Sequence, residues 1–171
     1  DECGAISFGR RPDLFCIGRT LRTNGAGVDQ LARLVGGDVR VFDVPYWKGP
    51  AELIHLMSVI SPVADDLAVV YLPLLPVGLW ELLGDLGIRL VEVPDEEFPT
   101  LGCNVLAVRP GVVILAEGNP VTSAALAAAS TPAPATPPAI DVELLAGMKA
   151  RSIGPAGMSG RVAAIDAVES D

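Results

Sequence analysis

The chain has 171 residues, half of them hydrophobic, and a formal net charge of −9. This length suits one domain or part of a larger one, and the apolar content is sufficient for a buried core. The negative charge argues against nucleic acid and against an anionic membrane surface as partners.

The number and spacing of the cysteines bear on metal sites, disulfides and the redox compartment. Three cysteines, at positions 3, 16 and 103, have neither metal-site nor disulfide spacing, and the chain has a single histidine, so we expect no metal site. Free thiols favour a reducing cytoplasm.

The first residues lack both a methionine and an apolar segment, which predicts no signal peptide and suggests truncation or processing. The apolar window at 67–83 contains Pro73 and Pro76, which predicts a strand and a helix instead of a membrane span.

Residues 2–130 alternate short apolar runs with turns rich in glycine and proline. Apolar runs bounded by such turns predict strands, and apolar residues three or four positions apart predict helices. We expect strands at residues 2–8, 14–18, 39–44, 52–60, 67–71, 88–93, 103–108 and 112–116. Helices are expected at residues 27–34, 76–86 and 121–129.

The order strand–strand–helix–strand recurs three times, with a period of about 50 residues. Such units either stack or surround a common axis, where residues from different units can meet, so the predicted fold class is α/β built from these units. After residue 130 the pattern changes. We therefore divide the chain into the repeated units at 1–130, an extended Pro/Ala-rich linker at 131–140, and a divergent C-terminal segment of the same domain at 141–171, in which 141–146 is a candidate strand.

His55 lies within the apolar run at 52–60, which contains apolar residues on both sides of it. A run that is apolar on both faces predicts a buried strand. The simplest interpretation is a core histidine whose hydrogen bonds are satisfied. The alternative is a functional histidine, because its ordinary pKa lies near neutrality.

Three segments resemble signatures of the guanidine-modifying superfamily. They are Gly-Arg-Thr-Leu-Arg-Thr-Asn-Gly-Ala-Gly at 18–27, Ile-His-Leu-Met-Ser at 54–58, and Gly-Cys-Asn-Val-Leu-Ala-Val-Arg-Pro-Gly at 102–111 followed by Gly-Asn-Pro-Val-Thr at 118–122. Their order and spacing fit over residues 2 to about 130. The serine that follows His-Leu-x favours the dimethylarginine dimethylaminohydrolase branch over the arginine deiminases, which have aspartate two residues after the histidine.

The resemblance implies a propeller-like (pentein) fold of five strand–strand–helix–strand modules, of which about three are present. It implies cofactor-free hydrolysis of a guanidino amino acid, with dimethylarginine converted to citrulline and dimethylamine. In that family a cysteine thiolate attacks the guanidinium carbon, and a histidine protonates the departing amine and then activates water. An acidic residue orients the histidine, and an arginine binds the substrate's α-carboxylate.

Three of these roles can be carried over to residues of this sequence. His55 takes the general acid/base position, and Arg22 takes that of the carboxylate clamp, for which a planar guanidinium is suited. Glu2 takes the position that orients the histidine, although Cys3 and Ala5 depart from the family's Glu-Gly-Gly-Asp motif. A solvated turn arginine and a frayed terminal glutamate are the simpler alternatives.

A glycine stands at the position expected for the nucleophile. The family's motif Gly-Gly-Pro-x-Cys-Leu/Met-Thr/Ser is matched by residues 153–159, where Gly157 replaces the cysteine. Cys16 and Cys103 have apolar surroundings, which raise a thiol's pKa, so neither is expected to substitute for it. The acidic residues at 95–97 are expected to form a solvated loop. The alternatives to an amidinohydrolase are a non-catalytic module that binds guanidino amino acids or another partner, and an inactive fragment.

The resemblance implies further modules that the sequence lacks. In the family, those modules carry acidic residues that hold the guanidinium. Three modules taken from a closed ring would also expose two module faces. Open strand edges and apolar faces promote association, so we expect the chain to be marginally stable or to self-associate.

Overall fold

Nine strands and three helices make up the part of the chain that the computed structural model describes, residues 5–130 and the backbone of residues 165–169. The strands are β1 (Ala5–Phe8), β2 (Arg11–Arg19), β3 (Asp38–Asp43), β4 (Ile60–Ala64), β5 (Leu67–Val70), β6 (Arg89–Glu92), β7 (Leu106–Arg109), β8 (Val112–Ala116) and β9 (Ile165–Glu169). The helices are α1 (Gly25–Val35), α2 (Val77–Asp85) and α3 (Pro120–Ala129), and short 3₁₀ turns lie at Gly49–Ala51, Leu56–Ser58 and Leu72–Leu74. None of the described helices is long and apolar enough to cross a membrane.

The strands form three sheets of three strands each, β1-β2-β3, β4-β5-β6 and β7-β8-β9. In the first two sheets an antiparallel hairpin is followed by a helix and by a third strand parallel to the second. The α/β class and this order of elements agree with the prediction. In the third sheet β9 runs antiparallel to β8, so this unit differs from the other two.

The first strands of the three units are neighbours, because β1 contacts β4 and β4 contacts β7. The hairpin turns also meet, since a Cβ added at Gly9 would clash with the Asp65 side chain. Arg89 joins the second and third units: it bonds Asp66 and donates from Nη1 to the Ala129 carbonyl oxygen at 2.8 Å. The ends of the strands opposite to these turns carry the Arg22 loop and the residues that precede β4.

The hydrophobic core consists of two clusters that share β5 between them. All four residues of β5 are buried, with Ala68 and Val70 in the first cluster and Leu67 and Val69 in the second. A strand covered on both faces is expected to be apolar throughout, as this one is. β5 is therefore the central strand against which the neighbouring units pack.

Helix α1 starts and ends where its flanking residues predict. The Asn24 side chain accepts a hydrogen bond from the Gly27 N–H at 2.9 Å, which caps the first turn. Gly36 has φ 64° and its N–H bonds to the Ala32 carbonyl oxygen, so a left-handed glycine ends the helix.

The predicted strand at 52–60 is wrong, because residues 52–55 have no regular structure, a 3₁₀ turn follows at Leu56–Ser58, and β4 begins only at Ile60. Leu56 and Val59 are buried three residues apart, whereas Met57 between them is exposed. This spacing is that of a 3₁₀ turn, and in a short apolar run it is not distinguishable from a buried strand by pattern alone.

The expectation of a solvated loop at 95–97 is wrong for Glu97, which is buried. Its carboxylate accepts hydrogen bonds from the Val121 N–H at 2.7 Å, the Thr122 N–H at 2.9 Å and the Thr122 hydroxyl at 2.6 Å. Glu97 thus caps the N-terminus of α3 from a distant loop. The N-cap residue itself, Asn119, makes no side-chain cap bond and donates instead to carbonyl oxygens, including that of Thr100 at 3.0 Å.

Candidate functional site

The loop that carries Arg22 is fixed by its neighbours on both sides. The Thr20 hydroxyl accepts from the backbone N–H groups of Arg22, at 2.9 Å, and Thr23, at 3.2 Å. Thr23 is buried, and Asn24 caps α1. Arg22 itself is half-buried. The Arg-Thr-Asn signature therefore has a structural basis: two of its residues anchor the loop that presents the third. Thr20 was not singled out from the sequence, although a hydroxyl at the start of a turn is a known signal.

His55 precedes the Leu56–Ser58 turn and is held by it. Its backbone N–H donates to the Ser58 Oγ at 3.2 Å, and the Ser58 N–H donates to the His55 carbonyl oxygen at 2.9 Å. Leu56 is fully buried in the core, which fixes the other side of the turn. The His-Leu-x-Ser segment is thus a closed turn in which Ser58 has a defined role.

The imidazole of His55 is half-buried, and its Nδ1 is buried. The Ser58 N–H lies near both the imidazole ring and the carbonyl oxygen of His55, but only its contact with the carbonyl oxygen has hydrogen-bond geometry. Within residues 5–130 and 165–169, Nδ1 has no hydrogen-bond partner.

Arg22 and His55 share one electrostatic environment. Burial lowers the pKa of His55 below its ordinary value of 6.5, and the positive charge of Arg22 lowers that pKa further. The two residues are 33 positions apart in sequence, and they come together because β2 and the turn before β4 end at the same side of the fold. The imidazole is therefore held in its neutral form at neutral pH.

Two cavities lie beside the segment that leads to His55, and Leu53 and Ile54 line both of them. The first, of about 220 Å³, also has Arg19, Thr20 and Asp43 in its wall. The second, of about 180 Å³, is lined further by Trp47, Glu52, Ser58, Phe98, Pro99, Leu101, Cys103 and Asn104. Ser58 of the Leu56–Ser58 turn lines the second cavity, but neither of these two cavities has Arg22 or His55 in its wall.

Neither described cysteine is suited to nucleophilic attack. Cys16 and Cys103 are buried, and burial raises their pKa values to about 11 and about 12 respectively. At neutral pH both are protonated, and a thiol is a poor nucleophile. Among the same described residues, no three His, Cys, Asp or Glu side chains are placed to hold a metal ion.

Glu2 and Gly157 lie outside the described residues, as do Cys3, the linker at 131–140 and the candidate strand at 141–146. The roles given to Glu2 and Gly157 therefore stay predictions. β1 begins at Ala5, opposite Ile17 near the end of β2, which is the end of the sheet from which the Arg22 loop departs.

Three solved structures with a similar fold are those of DDAH, of an arginine dihydrolase and of an amidinotransferase. DDAH from Pseudomonas aeruginosa, in complex with citrulline, matches with a TM-score of 0.56 and 21% identity over 72% of this chain. The N-terminal domain of ArgZ, a cyanobacterial arginine dihydrolase, matches with a TM-score of 0.56 and 16% identity over 78% of this chain. SxtG, an amidinotransferase from Microseira wollei, matches with a TM-score of 0.59 and 17% identity over 75% of this chain.

These matches show that the chain shares its fold with parts of these three proteins. The chain spans less than half the length of these proteins, since the matches cover 43%, 48% and 39% of their chains. No protein-family model matches the chain, and no curated protein sequence matches it significantly. The described units thus correspond to part of a larger architecture in the solved relatives.

Proposed function

We propose that this chain, whose fold is shared with guanidino-group hydrolases and an amidinotransferase, carries part of an amidino-modifying site built around Arg22 and His55. One observation carries the proposal: the charge of Arg22 acts on the half-buried ring of His55, although the two residues come from different units of the fold.

In this site Arg22 binds the α-carboxylate of a guanidino amino acid, and His55 transfers protons at the guanidinium end. The neutral ring is ready to accept a proton from water or from a nucleophile. A carboxylate bound to Arg22 offsets its positive charge, so substrate binding raises the pKa of His55 and favours the protonated ring that an amine leaving group requires. Substrate binding at Arg22 and proton transfer at His55 are thus coupled, because both depend on the charge of Arg22. Glu2 is the residue proposed to orient the ring at Nδ1.

The reaction that such a site performs with a cysteine nucleophile is the hydrolysis of dimethylarginine to citrulline and dimethylamine. The sequence alignment assigns Gly157 to the place of that cysteine, and Cys16 and Cys103 are protonated and buried. These observations favour a second candidate function, in which the chain binds a guanidino amino acid without turning it over.

The two functions are separated by measuring turnover and binding on the same preparation. Incubation with dimethylarginine followed by a citrulline assay detects the hydrolase, and isothermal titration with the same ligand detects binding. Citrulline supports the hydrolase, and binding without citrulline supports the second candidate. If neither is observed, both functions are wrong for this chain. In either positive case Arg22→Gln should weaken binding at least tenfold, because a charge-assisted contact of roughly 1.5–3 kcal/mol is lost.

The place of the nucleophile is tested by Gly157→Cys, with Gly160→Cys as a control in the same segment. If residue 157 lies beside His55, the first variant produces citrulline or forms a covalent adduct with the substrate, and the control does neither. Equal behaviour of the two variants would show that the alignment of residues 153–159 with the nucleophile motif is wrong.

A further inference from the structure

Gly18 lies in β2, opposite Phe42 of β3, and it is buried. A Cβ placed on it would lie 2.7 Å from the Leu56 Cβ, 3.2 Å from the Leu56 backbone nitrogen and 3.1 Å from the Val44 Cγ2. Carbon atoms in proteins prefer separations of about 3.5–4.0 Å, so a side chain at this position requires its neighbours to move. Its φ is not in the left-handed region, so glycine is needed here for space and not for conformation.

The neighbour that would have to move is the turn that holds His55. Leu56 directly follows His55, is fully buried and packs in the first core cluster. Two of the three close approaches at Gly18 are to Leu56, and one of them is to its backbone. A clash with a backbone atom cannot be relieved by a change of rotamer, so the whole turn, and His55 with it, has to move.

We propose that Gly18 is a positioning residue: the absence of a side chain lets the Leu56–Ser58 turn pack against β2, and this contact holds His55 beside Arg22. The inference deepens the proposed function, since it assigns a role in the same site to the first residue of the Gly-Arg-Thr-Leu-Arg-Thr-Asn segment. β2 thus positions both Arg22 and His55: the Arg22 loop follows its last residue, and the Leu56–Ser58 turn packs against Gly18.

The test uses the fact that the full chain has one histidine, so its imidazole C–H signal in an NMR pH titration is unambiguous. In Gly18→Ala the turn moves outward, which exposes the ring to water and increases its distance from Arg22. Both changes shift the pKa of His55 upward, towards 6.5. Gly84→Ala in α2 is the control, because a Cβ at Gly84 meets nothing within 4 Å. It should leave the titration unchanged.

A folded Gly18→Ala variant with an unchanged His55 pKa would overturn the proposal. If this variant does not fold, nuclear Overhauser contacts between the Gly18 Hα and Leu56 Hβ protons in the unmodified chain decide instead: their presence supports the contact, and their absence overturns it. Neither measurement requires turnover or ligand. A negative result in the dimethylarginine assays would therefore count against the proposed function without changing the outcome for Gly18.

Discussion

The ring of His55 is a titrating group whose pKa is set by burial first and by the charge of Arg22 second. Its folded-state pKa lies below the value of 6.5 expected for the unfolded chain, so the unfolded chain binds the proton more readily. The resulting contribution to stability is fully present above pH 6.5 and is lost as the pH falls through the lowered pKa. At neutral pH the site is therefore both at its most stable and in its unprotonated form.

Arg22→Gln should raise the pKa of His55, because it removes the nearby positive charge. The pKa should nevertheless stay below 6.5, because burial is the larger cause of the shift and remains. An NMR titration of the single histidine measures this directly. Arg33→Gln, which removes an exposed charge from the last turn of α1, is the matched control and should have no effect. An identical pKa in the Arg22 variant would show that the two side chains do not interact.

Cys16 and Cys103 should react slowly with a thiol reagent while the chain is folded. Their pKa values of about 11 and about 12 exceed the ordinary value of 9.0 by about two and three units, so their thiolate populations at pH 8 are about 100-fold and 1000-fold below normal. The assay uses a Cys3→Ser background, so that only these two thiols report. Both should react rapidly in urea. Rapid labelling of the folded chain would reopen the search for a substitute nucleophile.

At the scale of an element, helix α3 depends on a carboxylate from outside itself. Burial acts to raise the pKa of Glu97, but hydrogen bonds from Thr122 and Val121 outweigh it and hold the pKa below its ordinary value of 4.5. A negative charge at a helix N-terminus is further favoured by the helix dipole. The stabilisation from Glu97 is therefore complete above about pH 4.5 and is lost as the pH falls through the lowered pKa.

Glu97→Gln should lower the free energy of unfolding by about 1–3 kcal/mol, because the amide cannot replace both carboxylate oxygens as acceptors. Urea denaturation at pH 7 measures the loss. Glu96→Gln is the control, since Glu96 is exposed, and a surface change of this kind should cost less than about 0.5 kcal/mol. The difference between the two variants should shrink at low pH, where Glu97 is protonated. Equal stabilities at pH 7 would mean that the cap contributes nothing.

At the scale of the whole molecule, the three units pack side by side but leave one first strand uncovered. Ile6 and Phe8 of β1 and three of the five residues of β4 are buried, whereas Leu106 and Val108 of β7 are 63% and 48% exposed. In the solved structures of similar fold the matched part is less than half of each chain, so there is additional chain to pack. An exposed apolar strand is a site of association, so we retain the proposal that this chain self-associates through β7.

Leu106→Lys should shift the chain towards the monomer in sedimentation experiments, because a charge on an exposed strand opposes edge-to-edge and face-to-face contact. Leu34→Lys is the matched control: Leu34 is 83% exposed on α1, so the same substitution there should leave the distribution unchanged. A wild-type chain that sediments as a compact monomer at all concentrations would refute self-association.

Sequence patterns predicted the repeated elements well because each helix and strand is specified by nearby residues. Asn24 and Gly36 bound α1 through local backbone geometry, and the apolar run at β5 follows from burial on both faces. The same reasoning failed at His55 and Glu97. A turn and a strand give the same pattern over a few apolar residues, and nothing local to Glu97 indicates that α3 will supply its hydrogen bonds.

The sequence by itself determined the α/β units, the Arg-Thr-Asn loop and the glycine at position 157, because these depend on residue identity and short-range spacing. Only the tertiary structure decided that Arg22 acts on His55, that Gly18 receives the His55 turn, and that Glu97 is a buried cap. Each of these depends on how one unit packs against the next. Packing between units is set by shape and by the exclusion of water between residues that are distant in sequence, and no local sequence pattern predicts it.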